Sequence, residues 1–518
     1  MGTPDLEGSV VETATTAQEQ PTEPREPAPE EEESYSFFTK QQLYGFQLIL
    51  GIAATTSPLT ATIYFPLLPL LRQQFHVSAQ AINLTLTLYV IFQALSPVIF
   101  GPFSDSYGRR PVFIISLAIY VVGNIGIAAN QSNYAALLVL RAVQSLGASA
   151  AYALAFGVIS DLVPSSKRGS MVGPINMTMN LGTCVGPLIG GIVAYTKGEV
   201  GWVFWALVII GVLLLTMVMF CLPETSRNLV GKGDDSLYKW WQFSLVGLFR
   251  RRNTTDPEKS APTHPPPTAP TAPTATVSPL RVGLTNLLRC FRIIFHKDTL
   301  PSLWLHASFY AVDYCFVAAV PDIFVSYNFN ELQIGLAYLP RSLGIITSSY
   351  FTGRLMDYNY RVMAKQKNLP VDKSSNNVYN FPIEEARSRS TPIFLLWSTA
   401  TMLGYGWAVQ RHAHPSVPLI LQFMQGFWQT NFYTTYSTLF VDMFPEMAST
   451  AAAATAITRC AMAATAVAIL DPVLKVAGRG WFFTGLGLWS GVFGGIAVVV
   501  LQWKGTEWRR ERTKHTKI

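Results

Sequence analysis

Long apolar segments recur along most of this 518-residue chain, and they limit the folds open to it. Each segment has about 20 residues, the length at which an α-helix crosses the hydrocarbon core of a bilayer. Half of the residues are hydrophobic and only 13% are charged, whereas soluble domains carry about twice that charged fraction. Hydropathy predicts an all-α membrane protein with twelve transmembrane helices. The predicted spans are residues 43–68, 79–101, 111–130, 135–159, 171–195, 202–222, 302–326, 332–354, 391–410, 416–440, 448–471 and 481–503.

Lys and Arg residues are distributed unequally between the two sides of this predicted bundle. About 30 of the 38 fall on the side that carries both termini, and about five fall on the other. Because cytosolic loops are enriched in Lys and Arg, the bias predicts cytosolic termini. The net charge of +7 reflects this topology, and no nucleic-acid-binding motif accompanies it. We expect a multi-pass protein of the plasma membrane, or alternatively of a vacuolar or vesicular membrane, that needs no partner subunit.

A short charged motif occurs twice, after the second span of each half of the chain. In both copies a glycine is followed by aspartate four positions on and by arginine eight positions on. The copies lie about half the chain length apart, so they predict two pseudo-symmetric six-helix bundles, a repeat typical of secondary transporters. The first copy contains Gly101, Asp105 and Arg109, with Arg110 next, and the second contains Gly353, Asp357 and Arg361.

The motif has a physical logic. A carboxylate near a helix N-terminus is stabilised by the helix dipole, and an arginine within reach adds a charge-assisted hydrogen bond. Contacts of this kind can hold two helices together in one conformation and release them in another. We expect Asp161, at the end of span 4, to pair with Arg109 or Arg110.

The bundles are flanked and joined by polar segments. Residues 236–252 have the composition of a helix lying on an anionic leaflet, or of a peripheral tether, and residues 256–280 are rich in Pro and Thr. The predicted organisation is a disordered acidic tail (1–40), a first bundle (41–222), a cytosolic linker (223–300), a second bundle (301–505) and a basic cytosolic tail (506–518).

Span 5 carries small residues at four-residue spacing, which let two helices approach backbone to backbone. A proline within it is expected to kink the helix. These helix-packing residues are Gly173, Gly182, Gly186, Pro187, Gly190 and Gly191.

Several of these motifs resemble those of the major facilitator superfamily, and in particular its twelve-span drug:proton antiporter family. The resemblance covers about residues 40–505 and implies two bundles that alternate access to a central cavity in exchange for protons. One departure is Ser106, which follows Asp105 where the family usually has arginine. The motifs are Gly101–Arg110, Leu140–Gly147, Gly173–Gly191 and Leu222–Thr225, with Tyr338–Gly344 and Arg459–Ala464 most similar to the fungal quinidine-resistance and citrate-exporter subgroup.

Ionisable residues inside spans cost at least ~2.5 kcal/mol each and are functional candidates. The resemblance implies that Arg141 of span 4 takes part in proton coupling or supports the cavity wall. Asp313 of span 7 could carry the proton, or could pair with a cationic substrate or with Arg341. If Arg341 and Arg459 both face the cavity, an anionic substrate is favoured. If Asp313 and Arg341 neutralise each other, a neutral or amphipathic substrate is favoured.

Polar and aromatic residues elsewhere in the spans are candidates for the cavity lining, although such groups also serve as hydrogen bonds between helices. Five of them form a stripe on one face of span 10. The stripe is Gln422, Gln425, Gln429, Tyr433 and Tyr436, and the other candidates are Asn83, Gln144, Tyr310 and Tyr314.

The motifs together predict a proton-coupled antiporter that exports a drug, toxin or secondary metabolite. The alternative is an exporter of citrate-like di- or tricarboxylates, and a nutrient importer or a non-transporting sensor is favoured less. No residue spacing indicates a metal site, a nucleotide-binding loop or a catalytic constellation, so we expect no cofactor and no enzymatic activity. The expected partners are the substrate, protons and the lipid bilayer.

Overall fold

The structure, a computed structural model, describes residues 39–226, 288–368 and 381–516, apart from residues 131, 164, 289 and 445–447. The acidic tail, except residues 39 and 40, and most of the linker, including both of its segments considered above, lie outside these ranges. All regular elements within the ranges are helices, which confirms the all-α fold class.

The described residues of the first half form eight helices and a short 3₁₀ turn at Phe65–Leu67. Those of the second half form a second series that includes a π-helical turn at Trp489–Phe493. In chain order, the helices are α1 (Lys40–Ala54), α2 (Thr56–Ile63), α3 (Leu68–Phe75), α4 (Ala79–Tyr107), α5 (Arg109–Ala129), α6 (Tyr134–Leu162), α7 (Ser165–Lys197), α8 (Gly201–Cys221), α9 (Leu300–Val325), α10 (Glu331–Ala337), α11 (Leu339–Gln366), α12 (Ile383–Ser388), α13 (Thr391–Gln410), α14 (Ser416–Met443), α15 (Ala448–Leu488) and α16 (Gly494–Thr516).

Helices occupy the position of every predicted span. Among the described residues, eight helical stretches have the length and apolar composition to cross a membrane. The last of them, Ala453–Arg512, includes most of the last two predicted spans. The first predicted span is not one straight helix but the series α1, α2, 3₁₀ turn and α3. α16 continues through the predicted boundary at residue 505 as far as Thr516.

The structure corrects two predicted loops. The second copy of the charged motif, with Asp357 and Arg361, lies inside α11, because this copy has no glycine to end the helix where the first copy has Gly108. Gly108 adopts φ 106°, a conformation that favours glycine, and it separates α4 from α5. The predicted loop between the last two spans is also largely helical, and the chain there departs from helical geometry at Gly478, with φ 73°.

Local sequence accounts for several helix starts. The Ser78 side chain accepts a hydrogen bond from the Ala81 backbone at the start of α4, and Asn133 does the same for Ala136 at the start of α6. Asn330 forms a capping box at the start of α10. Such side chains satisfy backbone donors that have no partner within the helix.

Successive spans alternate in direction, so their ends define two faces. We call the face at the start of α1 and the end of α16 the terminal face, and the other one the opposite face. One apolar core includes residues of both halves near the opposite face, among them Phe65 and Phe324. Toward the terminal face each half has its own core, represented by Phe113 in the first half and Phe440 in the second. The halves therefore pack together at the opposite face and have separate cores at the terminal face.

Candidate functional site

Arg109, the first residue of α5, joins three helix ends at the terminal face of the first half. Its guanidinium lies 2.6 Å from the Asp105 carboxylate and 2.9 Å from that of Asp161, and it donates to Ser104 Oγ at 2.7 Å. The Arg109 and Asp161 side chains are mostly buried, at 14% and 12% exposure, whereas that of Asp105 is 56% exposed. The Arg109–Asp161 contact is therefore the stronger link, and it ties α5 to α6.

Glu224 completes this network, although the sequence analysis assigned it no role. Its buried carboxylate accepts hydrogen bonds from the backbone N–H groups of Arg109, at 2.8 Å, and Arg110, at 3.2 Å. It also accepts hydrogen bonds from the backbone N–H groups of Thr225 and Ser226, both at 3.0 Å. A carboxylate at the start of a helix satisfies orphan donors and interacts favourably with the helix dipole. Glu224 thus links the chain after α8 to the start of α5, while the Arg110 side chain donates to the Met219 carbonyl.

In the second half, the ion pair between helix ends is formed by residues that do not belong to the second copy of the motif. Within α11, Arg361 donates to the backbone carbonyl of Asp357 at 3.3 Å. The ion pair that matches Arg109–Asp161 in position joins Arg387, just before α13, to Asp442 at the end of α14, at 2.9 Å. Pseudo-symmetry is therefore kept in the helix ends that are tied together and not in the motif itself.

Three glycines of α7 pack against the first predicted span within the same half. A Cβ at Gly190 would lie 2.5 Å from the Ile63 carbonyl oxygen, so a larger residue would force the helices apart. Gly182 and Gly186 make similarly close approaches to Thr55 and Thr62. Gly173 lies in a stretch whose side-chain surroundings are outside the described part of the chain.

Gly191 belongs to a different contact, one between the halves. A Cβ on Gly191 would lie 2.9 Å from the Cα of Gly335 in α10, and a Cβ on Gly335 would lie 2.8 Å from the Pro187 carbonyl oxygen. The helix backbones of the two halves thus touch at the opposite face. This closure requires the absence of side chains at both glycines.

A cross-half ion pair reinforces the same closure. Arg72, at the end of α3, places Nη1 2.6 Å from Oδ1 of Asp322 in α9. Arg479 holds the end of α9 by donating to the Asp322 carbonyl at 3.0 Å and to Ser326 Oγ at 2.7 Å. We call Arg72, Asp322, Gly191 and Gly335 the opposite-face closure.

Arg141 is fully buried in α6 among aromatic rings. Its guanidinium carbon lies 3.9 Å from the ring centroid of Tyr64 and 4.5 Å from that of Tyr89. Nη1 donates to Gln144 Oε1 at 2.5 Å, and Gln144 in turn donates to Asn124 at 2.6 Å. Nε and Nη2 have no hydrogen-bond partner among the described residues, and no described carboxylate lies within 4.0 Å. The Arg141 charge is therefore balanced only by aromatic faces and an amide.

Arg459, in α15, is half-buried in a second aromatic cluster. Nη1 donates to the Tyr433 hydroxyl at 2.9 Å, and the guanidinium lies 5.0 Å from the Tyr310 ring centroid. The buried His306 ring lies 4.7 Å from that of Tyr433, and Tyr152 of the first half is close enough to interact electrostatically with Arg459. Within the described residues, Arg459 has no carboxylate within 4.0 Å. We call Arg459, Tyr310, Tyr433 and Tyr152 the Arg459 cluster.

Arg341 differs from these two arginines because it is neutralised. Its Nη2 lies 2.5 and 2.6 Å from the two Asp313 carboxylate oxygens, and Nε donates to Oδ1 at 3.2 Å. The pair links α9 to α11 and is mostly buried, at 9% and 16% side-chain exposure. Asp313 lies three residues after Tyr310 on α9.

The span 10 stripe is divided between two environments. Tyr433 joins the Arg459 cluster, whereas Gln422, Gln425 and Gln429 are at most 5% exposed. Gln425 donates to Gln429 at 3.1 Å, and the Tyr436 hydroxyl donates to Thr391 at 3.0 Å. These contacts are the hydrogen bonds within and between helices that the sequence left as an alternative.

Asn83 and Tyr314 lie where the halves meet. The Asn83 carbonyl accepts the Thr87 hydroxyl at 3.1 Å, and that hydroxyl also lies 3.5 Å from the Ala464 carbonyl of the other half. The Tyr314 ring lies 5.9 Å from Phe65 across the same junction. Tyr314 thus contributes to the packing between halves, and Asn83 lies one helical turn before Thr87, which contacts the other half.

Comparison with known proteins decides the family. Residues 50–367 match the sequence model of the Major Facilitator Superfamily. The chain belongs to this superfamily. It is a multi-pass membrane transporter, as the motifs of the sequence indicated.

Fungal relatives support the subgroup as well. MFS-type transporter tstD of Talaromyces stipitatus is 33% identical over 489 residues, which are 93% of this chain and 85% of that protein. Citrate exporter 1 of Aspergillus niger is 31% identical over 497 residues, 94% of this chain and 90% of that one. A solved structure of the xylose transporter XylE from E. coli, in a partially occluded inward-open conformation, matches with a TM-score of 0.58 at 15% identity. It covers 89% of this chain and 99% of XylE, and it confirms the fold alone.

The arrangement suits a transporter in one state of its cycle. The halves are closed at the opposite face, and the half-buried Arg459 cluster lies between them, with Tyr152 from one half and its other members from the other. Arg341 and Asp313 cancel, so the uncompensated charges in this region are those of Arg141 and Arg459.

Proposed function

We propose that this transporter exports a small organic molecule that carries a carboxylate, and that protons drive the transport. The observation that carries the proposal is the Arg459 cluster. It holds a half-buried guanidinium that has no carboxylate partner among the described residues. The guanidinium is hydrogen-bonded to Tyr433 and lies 5.0 Å from the Tyr310 ring centroid, and these rings suit a planar or apolar body. Guanidinium groups bind carboxylates with two parallel hydrogen bonds, and aromatic walls add apolar contact.

The Asp313–Arg341 pair removes one argument for a cationic substrate. A cation would have to displace Arg341 from Asp313 while lying near the uncompensated charges of Arg141 and Arg459. The relative named citrate exporter supports export of an organic acid. A neutral drug remains the second candidate, since Tyr310, Tyr314 and Tyr433 supply aromatic surface without requiring charge.

Orientation and coupling complete the proposal. The Lys and Arg bias supports cytosolic termini, so the closed opposite face is extracellular and the substrate enters from the cytosol. Asp313 is the acidic residue nearest the middle of a predicted span and is the proposed proton carrier. We place the transporter in the plasma membrane as a monomer, in which each half contributes a wall of the site.

Flux into proteoliposomes tests the substrate class. The purified full chain is reconstituted with an imposed pH gradient, and uptake of citrate, succinate, benzoate and a panel of neutral amphipathic drugs is followed. We expect carboxylate flux that an uncoupler abolishes. Arg459→Gln should weaken apparent carboxylate affinity by about 10- to 100-fold, since charge-assisted hydrogen bonds contribute about 1.5–3 kcal/mol.

A matched control is Arg411→Gln. Arg411 also lies over an aromatic ring, with its guanidinium 5.9 Å from the centroid of Trp407, but it is exposed near the opposite face. Carboxylate flux that is equally sensitive to both substitutions would contradict the site. Drug flux without carboxylate flux would establish the second candidate, and binding without any flux would favour a sensor.

A further inference from the structure

Gln93, on α4 of the first half, carries a side-chain amide that two buried serines hold in place. The side chain is half-buried, and its Nε2 donates to Ser57 Oγ in α2 at 3.1 Å. Ser57 Oγ lies 2.9 Å from Ser149 Oγ in α6, and both serines are 3% exposed. Because the serines join three helices of one half, the orientation of the Gln93 amide is set by the packing of that half.

The other end of this amide faces the second half of the chain. Gln93 Oε1 lies 4.0 Å from Sγ of Cys460, which follows Arg459 on α15. The Arg459 side chain is close enough to the same thiol to hydrogen-bond with it. The side-chain oxygen of Gln93 and the Arg459 guanidinium thus flank a single sulfur atom.

The hydrogen-bonding capacity of Gln93 Oε1 is poorly used in this arrangement. A thiol is a weak donor, and the Cys460 thiol is the only donor that the described residues offer to Oε1. On the other side of the sulfur, Arg459 is a cationic donor without a carboxylate partner among the described residues. The region therefore presents one neutral acceptor beside one cationic donor. A hydroxyl next to a carboxylate complements this pattern, whereas a second carboxylate at Gln93 Oε1 would be repelled.

We propose that the substrate is a hydroxy acid, with its carboxylate on Arg459 and its hydroxyl donating to Gln93 Oε1. The inference rests on the proposed function, since it needs a carboxylate at Arg459. Gln93 then selects hydroxylated acids, and it does so from the half of the chain that does not contain Arg459. Only a substrate with both groups connects the two halves at this point.

Two pairs of acids that differ only in a hydroxyl test this selection. Malate is compared with succinate, and citrate with tricarballylate, by titration calorimetry of the purified full chain at a pH at which all carboxylates are ionised. Benzoate serves as a reference acid without a hydroxyl. We expect each hydroxy acid to bind about 2- to 10-fold more tightly than its partner, the range for one hydrogen bond between neutral groups.

Three variants make the result specific. Gln93→Met replaces the amide with an apolar side chain of similar length, so it should bind malate no better than succinate while succinate affinity stays near the wild-type value. Ser57→Ala removes the hydroxyl that orients the amide, so the preference should shrink while both acids still bind. Gln410→Met is the matched control, because Gln410 Oε1 accepts a hydrogen bond from the Gly480 backbone at 3.1 Å near the opposite face. It should retain the wild-type preference.

The outcomes separate this inference from the proposed function. Equal affinities within both pairs, or a preference that survives in Gln93→Met, would overturn the inference and leave the carboxylate site intact. The same holds if benzoate binds and the other four acids do not, or if Gln410→Met abolishes the preference as fully as Gln93→Met does. If Gln93→Met binds no acid, Ser57→Ala decides, and an undiminished preference there would overturn the inference. Failure of the wild type to bind any of the five acids would overturn the proposed function and this inference with it.

Discussion

The opposite-face closure leads to a prediction about the conformational equilibrium. Asp322→Asn removes the only ion pair that the described residues place between the two halves there, Arg72–Asp322 at 2.6 Å. The contacts of Arg479 to the Asp322 carbonyl and to Ser326 are retained, because they do not use the carboxylate. The substitution should therefore weaken closure without unfolding α9.

The size of the expected effect follows from the solvent exposure of the Arg72–Asp322 ion pair. The Arg72 and Asp322 side chains are 33% and 39% exposed, so solvent screens their attraction, and the pair contributes about 0.5–1 kcal/mol. This energy changes the ratio of closed to open states about two- to fivefold. The backbone contact of Gly191 with Gly335 is unaffected, so closure should be shifted and not lost.

Double electron–electron resonance measures this shift directly. Nitroxide labels at the exposed positions Gln80 and His414 report the distance between halves near the opposite face. Asp322→Asn should increase the long-distance population two- to fivefold, and Arg72→Gln should do the same. The double variant should add little, because both singles remove the same interaction.

A within-half ion pair supplies the control. Lys367 pairs with Glu385 at 3.7 Å within the second half, away from the opposite-face closure, and Glu385→Gln should leave the distance distribution unchanged. Additive effects of Arg72→Gln and Asp322→Asn, or no shift in either, would refute the reasoning that this pair holds the halves together.

Three further predictions concern packing and the ionic networks. Glu224→Ala leaves two helix-start N–H groups without their acceptor and should destabilise the folded transporter by about 2–4 kcal/mol, seen as a lower Tm in lipid-detergent micelles. Gly335→Leu should stop flux while Tm stays near the wild-type value, because the clash lies between the halves, whereas Gly190→Leu should lower Tm because its clash is inside one half. Arg387→Gln should slow turnover several-fold in proteoliposomes while Arg361→Gln does not, and equal effects would contradict the assignment of the second-half ion pair.

The positions of the membrane helices were predictable from sequence because hydropathy over about 20 residues is a local property. The first predicted span shows what hydropathy does not predict. Its apolar composition identifies the segment, but the helix is interrupted at Thr55 and around Phe65–Leu67, where prolines stand at the start of the 3₁₀ turn and of α3. A hydropathy average does not record such a bend.

The charged motif gives a second example of structure that the sequence pattern did not predict. Shared spacing placed both copies after the second span of their half, yet only the first copy has a glycine, Gly108, that can adopt the φ of 106° found at the end of α4. In the second copy Asn359 and Tyr360 occupy the corresponding stretch, and α11 continues through them. The spacing of charged residues therefore carried less structural information than the presence or absence of one glycine, Gly108, between them.

The site was predictable as a set of residue types but not as a set of pairs. Sequence placed Asp313, Arg341 and Arg459 inside spans, and it left open whether Asp313 would neutralise Arg341. Pairing depends on the rotation of α9, α11 and α15 about their axes, and ionisable residues in different spans have no fixed register with one another. Asp313 takes Arg341, and by the criterion stated from the sequence this pairing alone favours a neutral or amphipathic substrate. The proposal of a carboxylate therefore depends on Arg459, which has no carboxylate partner among the described residues. The decisive information was thus the choice of partner for one arginine, which only the packing of three helices supplies.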